Sequence, residues 1–172
     1  MKRCALACLA LTVACPTMYH HVAPNIRVYR EKRGANDCNM NRASEAGAAV
    51  EALRATAKEQ GLLKAWPPVT PIGICIVDSQ PTVFCSGQGR QLAGCTIGTN
   101  PVEVRVAVHF ARKGFLPSKV HDWKATLLHE LSMALTLAGL LKLEPPTPQN
   151  EPQWVTAPKY IALVKAARAR VP

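Results

Sequence analysis

His129 and Glu130 stand side by side inside an otherwise apolar run from Ala125 to Gly139. An imidazole beside a carboxylate can relay a proton or help to hold a metal ion, and either group is costly to bury without a partner. Leu127, Leu128, Leu131, Ala134, Leu135, Ala138 and Leu141 recur at three- and four-residue steps, which predicts a helix buried nearly all round. The pair is therefore the leading functional candidate. The plainer reading is a buried His and Glu bonded to their neighbours.

The run Leu128-His129-Glu130-Leu131, followed by Ala134, Leu135 and Leu137, resembles the active-site helix of zincin metallopeptidases, the matrixin-like metzincins in particular. Their motif is His-Glu-x-x-His-x-x-Gly-x-x-His. Two imidazoles four residues apart share one helix face and reach a zinc ion, while the Glu activates the zinc-bound water. The resemblance makes His129 the first metal ligand and Glu130 the residual general base. It places Met133 at the second His, Thr136 at the Gly and Gly139 at the third His, so Met133 and Gly139 are lost-ligand positions.

A thioether is a soft ligand suited to copper(I), and Gly139 offers no side chain. No His follows His129; the later carboxylates are Glu144 and Glu151. The methionines, at 1, 18, 40 and 133, do not supply the later metzincin Met. The expectation is a domain without its zinc site and with no cofactor, whose former cleft binds a peptide or protein. One alternative is an active zinc-dependent metallopeptidase using His129 with Glu144 or Glu151 and a further ligand. Another is a structural envelope lipoprotein that carries His-Glu by coincidence.

The elements that must position the pair follow from periodicity. Ala46, Val50, Leu53 and Ala57 line one face of a helix predicted over 43–63, ended by Gly61 and Pro67-Pro68. Strands are predicted at 25–30, 71–77 and 102–110, the last alternating Val102, Val104, Val106 and Val108 with Glu103, Arg105 and His109. Residues 36–41 read as a turn, and 82–98 as an irregular edge region. A Pro-rich connector spans 144–158, then a basic C-terminal helix covers 159–172 with Tyr160, Ile161, Val164 and Ala167 inward. The fold class is α+β. The resemblance implies a metzincin-like domain over 24–143, a twisted mixed sheet backed by two helices, with the C-terminal helix in addition. No internal repeat is visible.

The N-terminus points to export. Lys2 and Arg3 precede an apolar run from Cys4 to Ala14, the layout of a signal peptide over 1–14. Leu11-Thr12-Val13-Ala14-Cys15 resembles a bacterial lipobox, which makes Cys15 the lipidation site and 15–23 a tether; Thr12 in place of Leu leaves ordinary cleavage after Ala14 open. With Cys4 and Cys8 removed and Cys15 acylated, Cys38, Cys75, Cys85 and Cys95 remain, an even set suited to two disulfides. The Gly-rich stretch between Cys85 and Cys95 can turn back on itself, leaving Cys38 for Cys75. The four include no Cys-x-x-Cys pair, which disfavours a zinc site. The expected location is the bacterial cell envelope, periplasm or outer surface, with the chain membrane-anchored or secreted.

At 172 residues the chain suits one domain, and 48 % apolar with only 5 % aromatic residues implies an aliphatic core. A net charge of +10 suits an anionic neighbour, the membrane or an anionic envelope polymer, as well as a merely soluble surface. Export and the scarcity of aromatics argue against nucleic acid. Gly87-Gln88-Gly89 lacks the Lys-Ser or Lys-Thr of a phosphate loop, and no Gly-x-Ser-x-Gly elbow occurs. His109 and His121 read as surface residues; eight residues before His129 leaves His121 about 80° out of line. His20 and His21 fall in the predicted leader, where they could bind metal only weakly.

Overall fold

The computed structural model describes residues 19–33, 35–85, 91–98, 100–110, 121–145 and 157–172. In chain order these form β1 (Tyr19–Ala23), β2 (Ile26–Tyr29), β3 (Lys32–Arg33), β4 (Asn36–Asp37), α1 (Ala43–Glu59) and β5 (Ile72–Val77). There follow β6 (Val83–Phe84), β7 (Gln91–Leu92), β8 (Gly94–Ile97), β9 (Val102–Ala107), α2 (Trp123–Leu137) and α3 (Pro158–Arg168). The fold is α+β, with a mixed five-stranded sheet and three helices among the described residues.

The sheet runs β1-β2-β5-β9-β8. Parallel pairing of β2 with β5 and of β5 with β9 makes its centre, and the antiparallel strands β1 and β8 close its two edges. Ile72-Gly-Ile-Cys-Ile-Val77 is buried at every position, as a central parallel strand covered on both faces must be. On one face Ile72, Ile74 and Ile76 join Val102, Val104 and Val106 in a core with Leu53 of α1, Leu127 and Leu131 of α2 and Leu163 of α3. On the other, Tyr29, Cys38, Cys75, Val77, Val83 and Ala107 form a smaller cluster.

Two disulfides, Cys38–Cys75 and Cys85–Cys95, staple that second face as the sequence predicts. They place the chain in an oxidising compartment. Among the described residues no helix is long and apolar enough to cross a membrane.

Several expectations need correction. Residues 19–23, expected in the tether, form edge strand β1, with Val22 and Ala23 packed on the core. An edge strand needs apolar side chains on one face only, and His20-His21 masks the alternation. The region 82–98, expected to be irregular, holds the β6–β7 hairpin and β8; short strands among Gly, Ser and Gln leave no periodic signal. In α3 it is Tyr160, Leu163 and Ala167 that are buried, while Ile161 is exposed and Val164 only half-buried. Residues 1–18, Cys15 among them, lie outside the described residues, as does most of the Pro-rich connector.

The helices α1 and α2 end alike. Gly61 and Gly139 take positive φ of 67° and 74°, the left-handed conformation that suits glycine just past a helix. Leu62 N–H then donates to Ala57 O and Leu140 N–H to Leu135 O, both at 2.8 Å, the six-to-one bond of a Schellman motif. Each glycine begins the same tetrapeptide, Gly61-Leu-Leu-Lys64 and Gly139-Leu-Leu-Lys142, a recurrence too short to register as a repeat. The two copies pair: Lys64 N–H donates to Leu140 O at 2.8 Å, and Lys142 N–H to Leu62 O at 2.7 Å.

Candidate functional site

The His-Glu pair lies mid-way along α2, with Glu130 on the side that meets edge strand β8. Asp122 sets the start of the helix, accepting a hydrogen bond from Ala125 N–H at 3.1 Å, the usual device for an orphan amide of the first turn. Gly94 lets β8 approach closely: a Cβ there would fall 2.7 Å from Thr126 Cγ2 and 3.1 Å from Glu130 Cγ. No larger residue fits without a shift.

Glu130 is only 6 % exposed. The Thr96 hydroxyl of β8 donates to Glu130 Oε2 at 2.7 Å and lies 2.9 Å from the Glu130 carbonyl oxygen. One hydroxyl proton is thus shared between a side chain and its own backbone, which fixes the carboxylate against the sheet edge. A buried carboxylate needs such donors.

His129 points to the other side, toward α3. Its Nδ1 is hydrogen-bonded to the Tyr160 hydroxyl, and the two rings meet edge-on with centroids 5.6 Å apart at 83°. Its Nε2 lies 4.0 Å from Glu130 Oε1. When Nδ1 accepts from the hydroxyl, a neutral ring carries its proton on Nε2, on the Glu130 side. Tyr160, His129, Glu130 and Thr96 then form a line of polar groups from α3 to β8.

The zinc that the resemblance implies does not fit this set. Met133 is half-buried, a neutral thioether one turn beyond the pair. Thr136, at the motif's glycine position, is buried in continuing helix and donates to Ser132 O at 2.7 Å. Gly139 is the left-handed residue that ends α2, so even the path of the chain departs from a third ligand there. Among the described residues no three of His, Cys, Asp and Glu are grouped to hold a metal ion. Glu144 is exposed, and Glu151 lies outside the described residues.

The other histidines stand apart. His121 Nε2 is 3.1 Å from Ala107 O and its ring packs against Phe110 at 5.4 Å. His109 is exposed. His20 and His21 are exposed on β1, in the sheet rather than in a leader.

Charge pairs fix the frame around the site. Arg168 donates to Asp122 at 2.8 Å, Arg170 to Glu59 at 2.5 Å, and Lys124 to the Pro172 carbonyl oxygen, so the C-terminal segment is tied to α1 and α2. Glu45 of α1 accepts from Arg42 at 2.8 Å and lies 3.1 Å from Lys124 of α2. The Arg42 hydrogen bond, with help from Lys124, holds Glu45 below the usual carboxylate range. For Asp122 partial burial pushes upward, but the Arg168 and Ala125 hydrogen bonds outweigh it and the net shift is downward.

The sequence does not mark Thr96, Gly94 or Tyr160 as site residues. A lone Thr or Gly in an irregular stretch carries no signal, and Tyr160 reads only as an inward-facing helix residue. Compared with known proteins, the chain matches no family model, no curated protein and no solved structure.

Proposed function

We propose that this is an exported, lipid-anchored binding protein of metzincin-like build that does not hydrolyse peptides. The reading is carried by one observation: the His129-Glu130 pair is engaged by Tyr160 and Thr96 of its own chain, while the other two ligand positions are a thioether and a helix-ending glycine. A mixed sheet with α1 and α2 packed on one face is what the resemblance implies, and it supports the same reading. The sheet edge at β8 and the adjoining face of α2 are the ground on which a peptide or protein partner would bind.

Protein purified without chelator should contain no stoichiometric zinc and show no peptidase activity above that of its Glu130→Gln variant. One tightly bound zinc per chain, with activity lost in Glu130→Gln, overturns the proposal. Mass spectrometry of the mature N-terminus tests the anchor: a diacylglyceryl group on Cys15 is expected, and an unmodified chain beginning at Met1 refutes it.

A further inference from the structure

Arg27 is a half-buried cation that pairs with no carboxylate among the described residues. Among them its Nε is also buried without a hydrogen-bond partner. By contrast Arg42, Arg54, Arg105, Arg168 and Arg170 each hold an acidic side chain. Arg27 is instead held by aromatic faces, its guanidinium carbon 5.0 Å from the Tyr19 ring centre and 5.4 Å from that of Tyr29. Arg33 lies 3.8 Å over the same Tyr29 ring. Gly73, the cross-strand partner of Arg27, is bare, and a Cβ there would overlap the Tyr29 ring.

These residues occupy the sheet face away from the helices, where His21 adds an exposed imidazole edge-on to Tyr19 at 5.1 Å. Exposed Arg30 and Lys32 follow directly, and Glu31, paired with Arg33 at 2.7 Å, is the only acid from Ile26 to Arg33. A guanidinium pinned by rings keeps its fork in place for an incoming oxyanion, with little side-chain freedom left to lose.

We infer that this face of β1–β3 docks on an anionic phospholipid surface, with Arg27 taking a headgroup phosphate. The choice of a membrane over a soluble anion rests on the anchor proposed above. Cys15 precedes β1 by four residues, a contour of at most about 14 Å, so an acyl chain there brings this hairpin to the headgroups before any other element.

The test uses the full chain carrying Cys15→Ser, which cannot be acylated, sedimented with phosphatidylcholine vesicles with and without phosphatidylglycerol. Binding only to the phosphatidylglycerol vesicles is expected, weakened about fivefold by Arg27→Gln, the effect of one basic group at an anionic surface. Arg54→Gln, whose cation is already held by Glu51, should leave it unchanged. Should Arg27→Gln fail to fold by circular dichroism, the double change at exposed Arg30 and Lys32 to Gln serves in its place. Equal binding to both vesicles, equal loss in Arg54→Gln, or binding of inorganic phosphate without vesicle binding overturns the inference. Vesicle binding by a protein whose native N-terminus proves unacylated refutes the anchor alone.

Discussion

Tyr160 of α3 reaches across to Nδ1 of His129 on α2 with its hydroxyl, from a side chain only 5 % exposed. The bond joins the one C-terminal helix to the centre of the candidate site, so α3 is part of the site's wall. Tyr160→Phe keeps the ring and removes the hydroxyl. It should lower stability by about 1 kcal/mol, the net worth of a buried hydrogen bond. Urea unfolding measures it, and an unchanged midpoint and slope would show that the contact contributes nothing.

Rebuilding the zinc motif should be harder than its spacing suggests. Met133→His places a second imidazole one turn after His129, on a half-buried face. Gly139→His must hold a Cβ at a φ of 74°, costing roughly 1–2 kcal/mol. Calorimetric zinc titration should therefore show that Met133→His gains weak binding, and that adding Gly139→His lowers the melting temperature. A double variant that is as stable as the native chain would contradict this account of the α2 terminus.

Acid should loosen the helices from one another. Glu45 and Asp122 have folded pKa values below their ordinary 4.5 and 3.8. Their contribution is complete above those ordinary values and is lost as pH falls through the lowered ones. Stability measured by urea should be level from neutral pH to about 5 and then decline. In Asp122→Asn the decline should be shallower; an identical slope would remove Asp122 from the explanation.

The two disulfides should not be equal. Cys38 and Cys75 are 37 residues apart and Cys85 and Cys95 only 10. On the loop-entropy account the longer closure is worth about 1 kcal/mol more. Replacing each pair by serines and comparing unfolding free energies decides it. The reverse order would mean that contacts in the second cluster, rather than chain entropy, set the values.

Much of this architecture is legible in the chain. Ile72–Val77 and the valines of β9 could hardly be anything but buried strands, and the small apolar stripe of α1 leaves one reading. The cysteine pairing follows from what a Gly-rich stretch can do. What the sequence hides is what depends on a partner across space. The apolar half of β1 is obscured by two histidines, β8 is recognisable only once β9 is beside it, and Tyr160 gains meaning only when α3 folds back onto His129. The polar shell of the candidate site belongs to that second kind.

The reciprocal bonds between the Gly-Leu-Leu-Lys segments bear on how the molecule comes apart. A helix C-terminus ordinarily frays by itself, because its last carbonyls are held by nothing beyond the next turn. Here the amide of Lys64 is closed by the end of α2 and that of Lys142 by the end of α1. Neither end opens unless both do. The two amides should therefore exchange with solvent deuterium at a common rate, near that of the central strands, making the joint of these helices a single cooperative unit.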